Sequence, residues 1–347
     1  MSSELRIGII GCGEVAVDTC MAIGATDNAS IAMLMDTRPE VLRDLAEMYS
    51  APTTTEVDDV LNNPDVDAVY VATPHDLHVP IGVRAARAGK HILMEKPIAT
   101  NLGDADTLIA ACREHDVALG VAFYAQTDAN LNYARNLVRA GLLGDIVSVR
   151  LTYLGDKPAA YWQGGYSQRV HTDWRTKKDQ AGGGVLIMNT IHDLNTMHWV
   201  TGLQAKTVYA QVDTLATQVE VEDTVGAVIR FANGAIGSIH AGSALRGGGH
   251  GDIRGTRVFG TRGQLILGGQ VMAYLAEPPE GGEPNTWQQI QVPGGRGGRE
   301  AMVAGFVDAV LSGKEPPVTG AAARQALEVV LAAYRSSQEG QPIALPM

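Results

Sequence analysis

The chain has 347 residues, of which 45% are hydrophobic and 19% are charged, and its formal net charge is −11. This length suits two folded domains, and the composition is that of a globular protein. The excess of acidic residues argues against nucleic acid and anionic membranes as partners, because both attract clustered lysine and arginine.

The cysteine content and the start of the chain favour a cytoplasmic protein. The three cysteines form no CxxC pair and lack the spacing of a metal site, and such a sparse, odd number fits a reducing compartment. No apolar segment with a basic flank precedes the first predicted strand, and no apolar run approaches the roughly 20 residues of a membrane span. We therefore expect a cytoplasmic protein with no metal site and no membrane partner.

Residues 5 to about 122 alternate short apolar runs with helical patterns. The runs LRIGIIG, SIAMLMD, DAVYVATP, HILMEKP and ALGVAFY have the composition of buried strands. Strands separated by helices form parallel βαβ units with right-handed crossovers. The pattern predicts an α/β domain built on a doubly wound parallel sheet.

The pattern changes after residue 123. A helix in ANLNYARNLVRAG and a strand in GDIVSVRLTYLG precede a glycine-rich loop over about 155–182 and a helix over 183–201. Strand-like runs then follow one another without intervening helices, and Asn233-Gly234 between two of them is typical of a hairpin. We expect an α+β domain with a mainly antiparallel sheet. Its loop at 246–255, RGGGHGDIRG, is predicted as either the mobile edge of a pocket or a long hairpin.

A glycine-rich turn, Gly11-x-Gly13-x-x-Ala16, follows the first predicted strand and opens the first predicted helix. Gly11 permits the tight turn, Gly13 lets a pyrophosphate approach the backbone, and Ala16 allows close packing of the helix on the strand. The phosphates would lie on the helix N-terminus, with its free N–H groups and positive dipole end. This turn predicts dinucleotide binding by Gly11, Gly13, Glu14, Val15 and Ala16.

Asp36 ends the second predicted strand, where its carboxylate would accept hydrogen bonds from the adenosine ribose. This residue favours NAD as the cofactor, because a 2′-phosphate would meet its negative charge. Arg38 keeps NADP open, since it could stack on the adenine or pair with a 2′-phosphate if Asp36 turned away.

The sequence VATPHDLH follows another predicted strand of the parallel sheet. Thr73 and Pro74 lie at its carboxyl end, in the crevice where such sheets bind ligands. His75 and His78 come next, and we do not expect a metal site there, because no cysteine or carboxylate cluster lies at ligand spacing. We expect these histidines to contact the cofactor or to cap the next helix.

Lys96 lies at the carboxyl end of the strand HILM and therefore at the same crevice. Pro97 fixes its own φ and keeps Lys96 extended, and the bond between them could be cis. Glu95 could pair with a cation or with the cofactor's ribose. An ammonium at the nicotinamide would polarise a substrate hydroxyl or carbonyl, or relay its proton. The alternative is a surface lysine that ends a strand.

A second constellation lies in AGGGVLIMNTIHDLNTMHWVTG. Three glycines, residues 182–184, open a helix without bulk, so another group can come close. Met188, His192, Asn195 and Trp199 recur at helical spacing and share one face. His192 could take a proton from a substrate hydroxyl, because histidine is the side chain best suited to proton exchange near neutral pH. The other histidine of this helix, at position 198, is expected in the core or on the surface.

These motifs together resemble the Gfo/Idh/MocA family, which includes glucose–fructose oxidoreductase and the inositol dehydrogenases. The resemblance covers nearly the full length and depends on the glycine turn, GKHILMEKPIA, AGGG with the His192 helix, and VEDTVGAVIRFANGAIG. It implies a Rossmann domain over 1–122 and a substrate-binding and oligomerisation domain with a large open sheet over 123–347, whose C-terminal helix could pack back on the first domain. It also implies a homodimer or homotetramer joined through that sheet.

The resemblance assigns roles to individual residues. Lys96 matches the family's catalytic lysine and His192 its catalytic histidine. Met188 and Asn195 depart from the family, in which aspartate is common at both positions. Since Met188 cannot transfer a proton, Lys96 and His192 would share the acid–base chemistry unless a carboxylate elsewhere contributes. The candidates for that carboxylate are Asp173 and Asp193.

The loop YWQGGYSQRVHTDWRTKKDQ could line the substrate side, because aromatic faces with hydrogen-bonding groups between them suit a sugar ring. Its alternative roles are subunit contact and ordinary loop packing. His75 and Tyr124 also depart from the family, which often has asparagine at both positions. The predicted substrate-binding residues are Lys96, Tyr124, Trp162, His171, Asp173, Trp174, Arg175, Met188, Asn189 and His192. The predicted cofactor-binding residues are Gly11, Gly13, Glu14, Val15, Ala16, Asp36, Arg38, Thr73, Pro74, His75, His78, Glu95 and Lys96.

We therefore expect an NAD(P)-dependent oxidoreductase that transfers a hydride between the cofactor and a hydroxyl or carbonyl of a sugar, sugar derivative or cyclitol. Two alternatives stay open. One is a redox-neutral enzyme with tightly held NAD that cleaves or epimerises its substrate through transient oxidation. The other is a non-enzymatic protein that senses NAD or a sugar.

Overall fold

The computed structural model describes residues 4–248 and 255–347, so most of the predicted loop at 246–255 lies outside the described residues. The chain forms two compact units. The first comprises the chain up to residue 127 together with 159–182 and 297–324, and the second comprises 128–158, 183–296 and the chain from residue 325.

The strands fall into two sheets, one in each unit. Their bounds are β1 Leu5–Ile10, β2 Ala29–Met35, β3 Thr53–Thr54, β4 Ala68–Val71, β5 His91–Met94, β6 Leu119–Val121, β7 Ile146–Leu154, β8 Ala205–Asp213, β9 Thr224–Phe231, β10 Ile236–Gly242, β11 Gly255–Gly260, β12 Gly263–Gly268, β13 Gln270–Leu275, β14 Trp287–Gln289 and β15 Ile343–Ala344.

The helices lie between these strands. Their bounds are α1 Glu14–Gly24, α2 Arg43–Tyr49, α3 Val57–Leu61, α4 His78–Arg87, α5 Leu102–Glu114, α6 Ala129–Arg139, α7 Tyr161–Gly164, α8 Lys178–Ala181, α9 Ile191–Thr201, α10 Gly298–Leu311 and α11 Gly320–Glu339. A π-helical turn, Leu186–Thr190, leads directly into α9.

The sheet of the first unit has the strand order β3-β2-β1-β4-β5-β6, and all its strand pairs are parallel. The predicted doubly wound sheet is therefore confirmed. The strand order reverses between β1 and β4, which is where sheets of this type bind ligands at the carboxyl ends of the strands. The glycine turn after β1 and the segment after β4 lie at this point.

The sheet of the second unit has the order β14-β13-β12-β11-β7-β10-β9-β8-β15, and only the β7–β10 pair is parallel. The predicted mainly antiparallel sheet is confirmed, and Asn233-Gly234 forms the turn between β9 and β10, with Gly234 at φ +90°. Helices α6 and α9 contribute Ala134, Leu137 and Val200 to a core shared with β11, β12 and β13. On β9 and β10, buried and exposed residues alternate, so one face is packed and the other is open.

The division into units differs from the predicted boundary at residue 122, because the chain returns to the first unit twice. The segment 159–182 was predicted as part of the second domain. Helix α10 also belongs to the first unit, where Met302, Val303 and Phe306 join the core around β1 and α1. These returns depend on long-range packing, which local composition does not report.

The helices in residues 4–248 and 255–347 include none that is long and apolar enough to cross a bilayer.

Candidate active site

The glycine turn has the geometry that a bound pyrophosphate needs. Gly11 has φ +89°, and a Cβ there would lie 2.7 Å from the carbonyl oxygen of Ala72, so only glycine fits. A Cβ on Gly13 would meet nothing closer than Val170 Cγ2 at 3.9 Å, so this position stays open to a ligand. The N-cap residue of α1, Gly13, makes no side-chain cap, and Ala16 is buried at the base of the helix. The first amides of α1 are therefore available to an anion.

Asp36 follows β2 and lies against the glycine turn. Its Oδ2 accepts a hydrogen bond from the Cys12 amide at 2.9 Å, and its Oδ1 accepts one from the Arg38 amide at 3.0 Å. Each carboxylate oxygen keeps further acceptor capacity. The side chain is half-buried, and a ribose diol can bind to it without displacing either backbone contact.

The segment after β4 brings Thr73, His75 and His78 together. Thr73 Oγ1 is buried and has no hydrogen-bond partner among the described residues, as expected of a group that meets a ligand. His75 Nδ1 lies 2.7 Å from the Ala181 carbonyl oxygen, and its ring packs edge-on against Trp174 at 4.6 Å between centroids.

His78 is fully buried, in contrast to the predicted contact with the cofactor. Its Nδ1 lies 2.8 Å from the Pro97 carbonyl oxygen and its Nε2 lies 3.1 Å from that of Thr73. Burial lowers its pKa below the usual range, so the ring is neutral and donates to one carbonyl at a time. His78 therefore braces the ends of β4 and β5 against each other, and the ring has no exposed edge for a ligand.

Lys96 follows β5 and lies next to a buried ion pair. The sequence predicted a cation as a possible partner of Glu95 but did not identify it. Glu95 is 5% exposed; its Oε1 accepts from Tyr70 Oη at 2.7 Å and lies 3.1 Å from Arg299 Nη1. Glu95 Oε2 accepts from the Lys96 amide at 3.1 Å, and Arg299 also donates to Thr19 Oγ1 at 2.7 Å. Glu95 thus pairs with a cation, as one predicted alternative had it, and that cation comes from α10.

The Lys96 side chain is held in a desolvated position. Burial lowers the pKa of its ammonium below the usual value; Glu95 opposes this shift, and Arg299 and Arg175 reinforce it. The Lys96–Pro97 peptide bond is cis. A lysine whose pKa is lowered exchanges protons more readily near neutral pH, which suits an acid–base role.

The segment 159–182 of the first unit is fastened to the glycine turn by two residues. Glu14 Oε1 accepts a hydrogen bond from the Ser167 amide at 2.6 Å. Arg169 donates to the Cys12 carbonyl oxygen through Nε at 3.0 Å and to Asp44 Oδ1 through Nη2 at 2.6 Å. Arg169 was not predicted, and no local pattern marks it, because its partners lie more than a hundred residues earlier.

The aromatic residues of this segment lie beside residues predicted to bind the cofactor. The Arg175 guanidinium lies 4.7 Å from the Trp174 ring centroid and 3.8 Å from Glu14 Oε2. Trp162 is 5% exposed and packs edge-on against Tyr161. Trp174 and Arg175 therefore belong to the nucleotide-binding unit, whereas the prediction placed them on the substrate domain.

Two further residues of this segment are in solvent. His171 is exposed, and Asp173 forms an exposed ion pair with Lys177 at 2.8 Å, which holds the pKa of the carboxyl below its usual range.

Tyr124 lies near the end of the first stretch of the first unit. Its ring centroid is 5.6 Å from the Arg299 guanidinium, and burial raises its pKa to about 12.

In the second unit, the π-helical turn carries two predicted substrate residues. Met188 is 4% exposed, and Asn189 Oδ1 accepts from Lys157 Nζ at 2.7 Å. Lys157 is a buried lysine, 5% exposed, that sequence reasoning missed. His192 follows on the first turn of α9 and is half-exposed, so its ring can meet a ligand.

Other residues of α9 serve packing. Asn195 is 2% exposed. Trp199 Nε1 donates to Asn132 Oδ1 at 3.0 Å, and the Arg135 guanidinium lies 3.3 Å from its ring centroid, so this end of the helix is bound to α6. Asp193 Oδ1 accepts from Thr256 Oγ1 at 3.3 Å.

Within residues 4–248 and 255–347, no group of three metal-ligating side chains could hold an ion.

The residues of the first unit fit NAD. The turn leaves room for a pyrophosphate at Gly13, the helix amides of α1 lack a side-chain cap, Asp36 keeps acceptor capacity for a ribose, and Thr73 Oγ1 is unpaired among the described residues.

Comparison with known proteins identifies the family. Residues 5–123 match the model of an oxidoreductase family with an NAD-binding Rossmann fold, and residues 131–266 match the GFO/IDH/MocA C-terminal domain. The chain belongs to the GFO/IDH/MocA family of NAD-binding oxidoreductases, as the sequence motifs predicted.

Three similar proteins illustrate the family. The chain is 30% identical to 1,5-anhydro-D-fructose reductase of Ensifer adhaerens, over 97% of each chain. It is 25% identical to myo-inositol 2-dehydrogenase of Thermotoga maritima, over 98% of each chain. The structure of the WlbA dehydrogenase of Bordetella pertussis, in complex with NADH and UDP-GlcNAcA, superposes with a TM-score of 0.83 at 26% identity over 99% of each chain.

Replacing Asp36 by asparagine should weaken the preference for NAD over NADP by about tenfold or more. Asparagine keeps an acceptor oxygen for the Cys12 amide but removes the charge that a 2′-phosphate would meet, and bringing like charges together costs several kcal/mol. Fluorescence titration with NADH and NADPH measures both dissociation constants. Asp27→Asn, at an exposed aspartate of the same unit, is the control. An unchanged preference in Asp36→Asn contradicts the assignment.

Replacing Arg299 by methionine should lower the free energy of unfolding by about 3–5 kcal/mol, because it leaves the buried Glu95 carboxylate without its cation. Urea denaturation measures the loss. The double variant Glu95→Gln/Arg299→Met should lose less than the two single variants together, since residues in one ion pair are coupled. Additive losses would show that the two groups do not depend on each other.

Proposed function

We propose that this enzyme transfers a hydride between NAD and a hydroxyl or carbonyl carbon of a sugar, a sugar derivative or a cyclitol. The observation that carries the proposal is the position of Lys96 at the carboxyl end of β5, on the same edge of the parallel sheet as the nucleotide-binding turn after β1. Its backbone amide is held by Glu95, which pairs with Arg299. The named activities of relatives, a reductase for anhydrofructose and a dehydrogenase for myo-inositol, support this substrate class. NAD supplies the acceptor for the hydride.

Lys96 is proposed to orient the reacting hydroxyl and to stabilise the negative charge that develops on its oxygen. An ammonium in a desolvated position acts more strongly on such a charge than one in water. Its lowered pKa also makes the ammonium a better proton donor than an ordinary lysine.

His192 is proposed as the base that takes the hydroxyl proton during oxidation. It is half-exposed, whereas Met188, which replaces the expected aspartate, is buried and has no proton to exchange. Of the carboxylates considered as substitutes, Asp173 is exposed and paired with Lys177, and Asp193 is hydrogen-bonded to Thr256. The acid–base work therefore falls to Lys96 and His192.

The substitutions Lys96→Ala and His192→Ala should each lower turnover by about a hundred- to ten-thousandfold, which is the usual contribution of acid–base catalysis. The Kd for NADH should stay within about threefold in His192→Ala, because that residue lies outside the nucleotide-binding unit. The assay follows NADH absorbance with a panel of sugars, inositols and glycosides, supplied with NAD or NADP.

Near-normal turnover in His192→Ala would reject its assignment as the base. NADH binding without reduction of NAD by any polyol of the panel would argue for a protein that senses its ligands without converting them.

We also propose that two copies of the chain associate through the open face of the second unit's sheet. Tyr209, Val228 and Ile236 lie on β8, β9 and β10 and are 42%, 51% and 46% exposed, and Tyr209 pairs directly with Val228 across the strands. Exposed apolar side chains that adjoin on a sheet face are typical of an interface, and a second copy supplies a face of the same composition.

Replacing Val228 by glutamate should weaken this association by tenfold or more, since the charge would be buried on each side of a symmetric interface. Sedimentation velocity over a range of protein concentrations measures it. Leu215→Glu, at an exposed leucine outside the strands, is the matched control. A monomeric wild-type chain, or an unaffected Val228→Glu dimer, would contradict the proposal.

We propose a cytoplasmic location on the basis of the cysteines. Cys12, Cys20 and Cys112 are buried and free, and burial raises the pKa of each thiol. Buried thiols of this kind are compatible with a reducing compartment.

A further inference from the structure

The glycines at the start of the His192 helix are required by their surroundings. A Cβ on Gly183, which has φ +151°, would lie 2.1 Å from Tyr334 Oη, and a Cβ on Gly184 would lie 1.8 Å from the Glu222 carbonyl oxygen. Neither distance is tolerated by a real side chain. The absence of bulk that the sequence indicated therefore has a specific purpose, which is the close approach of Glu222 and Tyr334.

Glu222 satisfies the first amides of this helix. Its Oε2 accepts from the Gly184 amide at 2.5 Å, its Oε1 accepts from the Leu186 amide at 2.9 Å, and its carbonyl oxygen accepts from the Val185 amide at 3.0 Å. Tyr334 Oη donates to Glu222 Oε1 at 2.9 Å. Three successive amides that would otherwise lack partners are thus bound by one residue, and its negative charge lies at the positive end of the helix dipole.

The segment that Glu222 caps is not an ordinary α-helix. The π-helical turn Leu186–Thr190 begins at the last of the capped amides, that of Leu186, and ends directly before α9. Such turns are rare and are held by their surroundings. If the turn relaxed to α-helical spacing, each later residue would rotate by one position, about 100°. The direction of His192 therefore depends on the fixed start of the turn.

We infer that Glu222 is a positioning residue, which sets the direction of His192 through the capped π-helical turn. Glu222 is 8% exposed, and its carboxylate oxygens accept from the Gly184 and Leu186 amides and from the Tyr334 hydroxyl, so the role assigned to it requires no contact with the substrate. The inference rests on the proposed role of His192 as the base.

The test compares Glu222→Gln with His192→Ala and with the double variant. Glutamine keeps one acceptor oxygen but turns an N–H group toward backbone donors, so the cap is broken at little change in volume. Turnover in Glu222→Gln should fall by about ten- to a hundredfold, the effect of misplacing a catalytic group by about 1 Å, with the Kd for NADH unchanged. Glu222→Asp should recover part of the activity, and Glu283→Gln, at an exposed glutamate of the same unit, should be neutral.

The double variant Glu222→Gln/His192→Ala should be no slower than His192→Ala alone, because a residue that acts through His192 has nothing left to position. A purely structural role would multiply the two losses and would overturn the inference. Near-normal turnover in Glu222→Gln would overturn it as well. Tyr334→Phe removes one hydrogen bond and should lower turnover by about two- to tenfold. In a His192→Ala background the same substitution should leave turnover unchanged. This pair of variants provides the same comparison if Glu222→Gln does not fold.

The two proposals fail in different ways. Normal turnover in His192→Ala would reject the assignment of His192 as the base, and with it the positioning role of Glu222. If turnover is low in His192→Ala but normal in Glu222→Gln, only the positioning role of Glu222 is rejected.

Discussion

The buried ion pair between Glu95 and Arg299 is the interaction on which the first unit depends. A carboxylate that is 5% exposed must be compensated, and the compensating guanidinium comes from α10, more than two hundred residues later. The same carboxylate accepts the Lys96 amide. Together with the packing of Met302, Val303 and Phe306, this pair holds α10 in the first unit, and it fixes the backbone of Lys96 at the end of β5.

A second buried carboxylate has a parallel role in the second unit. Glu222 has no cation beside it among the described residues, and it is stabilised by amides and a tyrosine hydroxyl. Burial raises its pKa, so the ionised form depends on those donors. In both units, then, a buried glutamate accepts backbone amides at or before a residue proposed for catalysis. Glu95 holds the amide of Lys96, and Glu222 holds the amides that begin the turn leading to His192.

The sequence predicted what is local. The glycine turn, Asp36, Glu95-Lys96-Pro97 and the glycines before His192 are each recognisable as a short pattern, and the alternation of strands and helices predicts the parallel sheet. The groups that require two of these glycines, Glu222 and Tyr334, lie far along the chain and were not predicted. Arg169, Arg299, Glu222 and Lys157 were missed because each acts on a partner far along the chain. His78 was misread for a related reason: its spacing placed it correctly at the crevice, but only packing shows that both ring nitrogens face backbone carbonyls.

We propose that the carbon-bound hydrogen of a polyol passes directly to NAD. It is tested most directly with a polyol from the active panel, deuterated at the reacting carbon, and mass analysis of the NADH formed. We expect one deuterium in each NADH and slower turnover than with the unlabelled polyol. Unlabelled NADH, or substrate turnover that leaves no reduced cofactor, would contradict it.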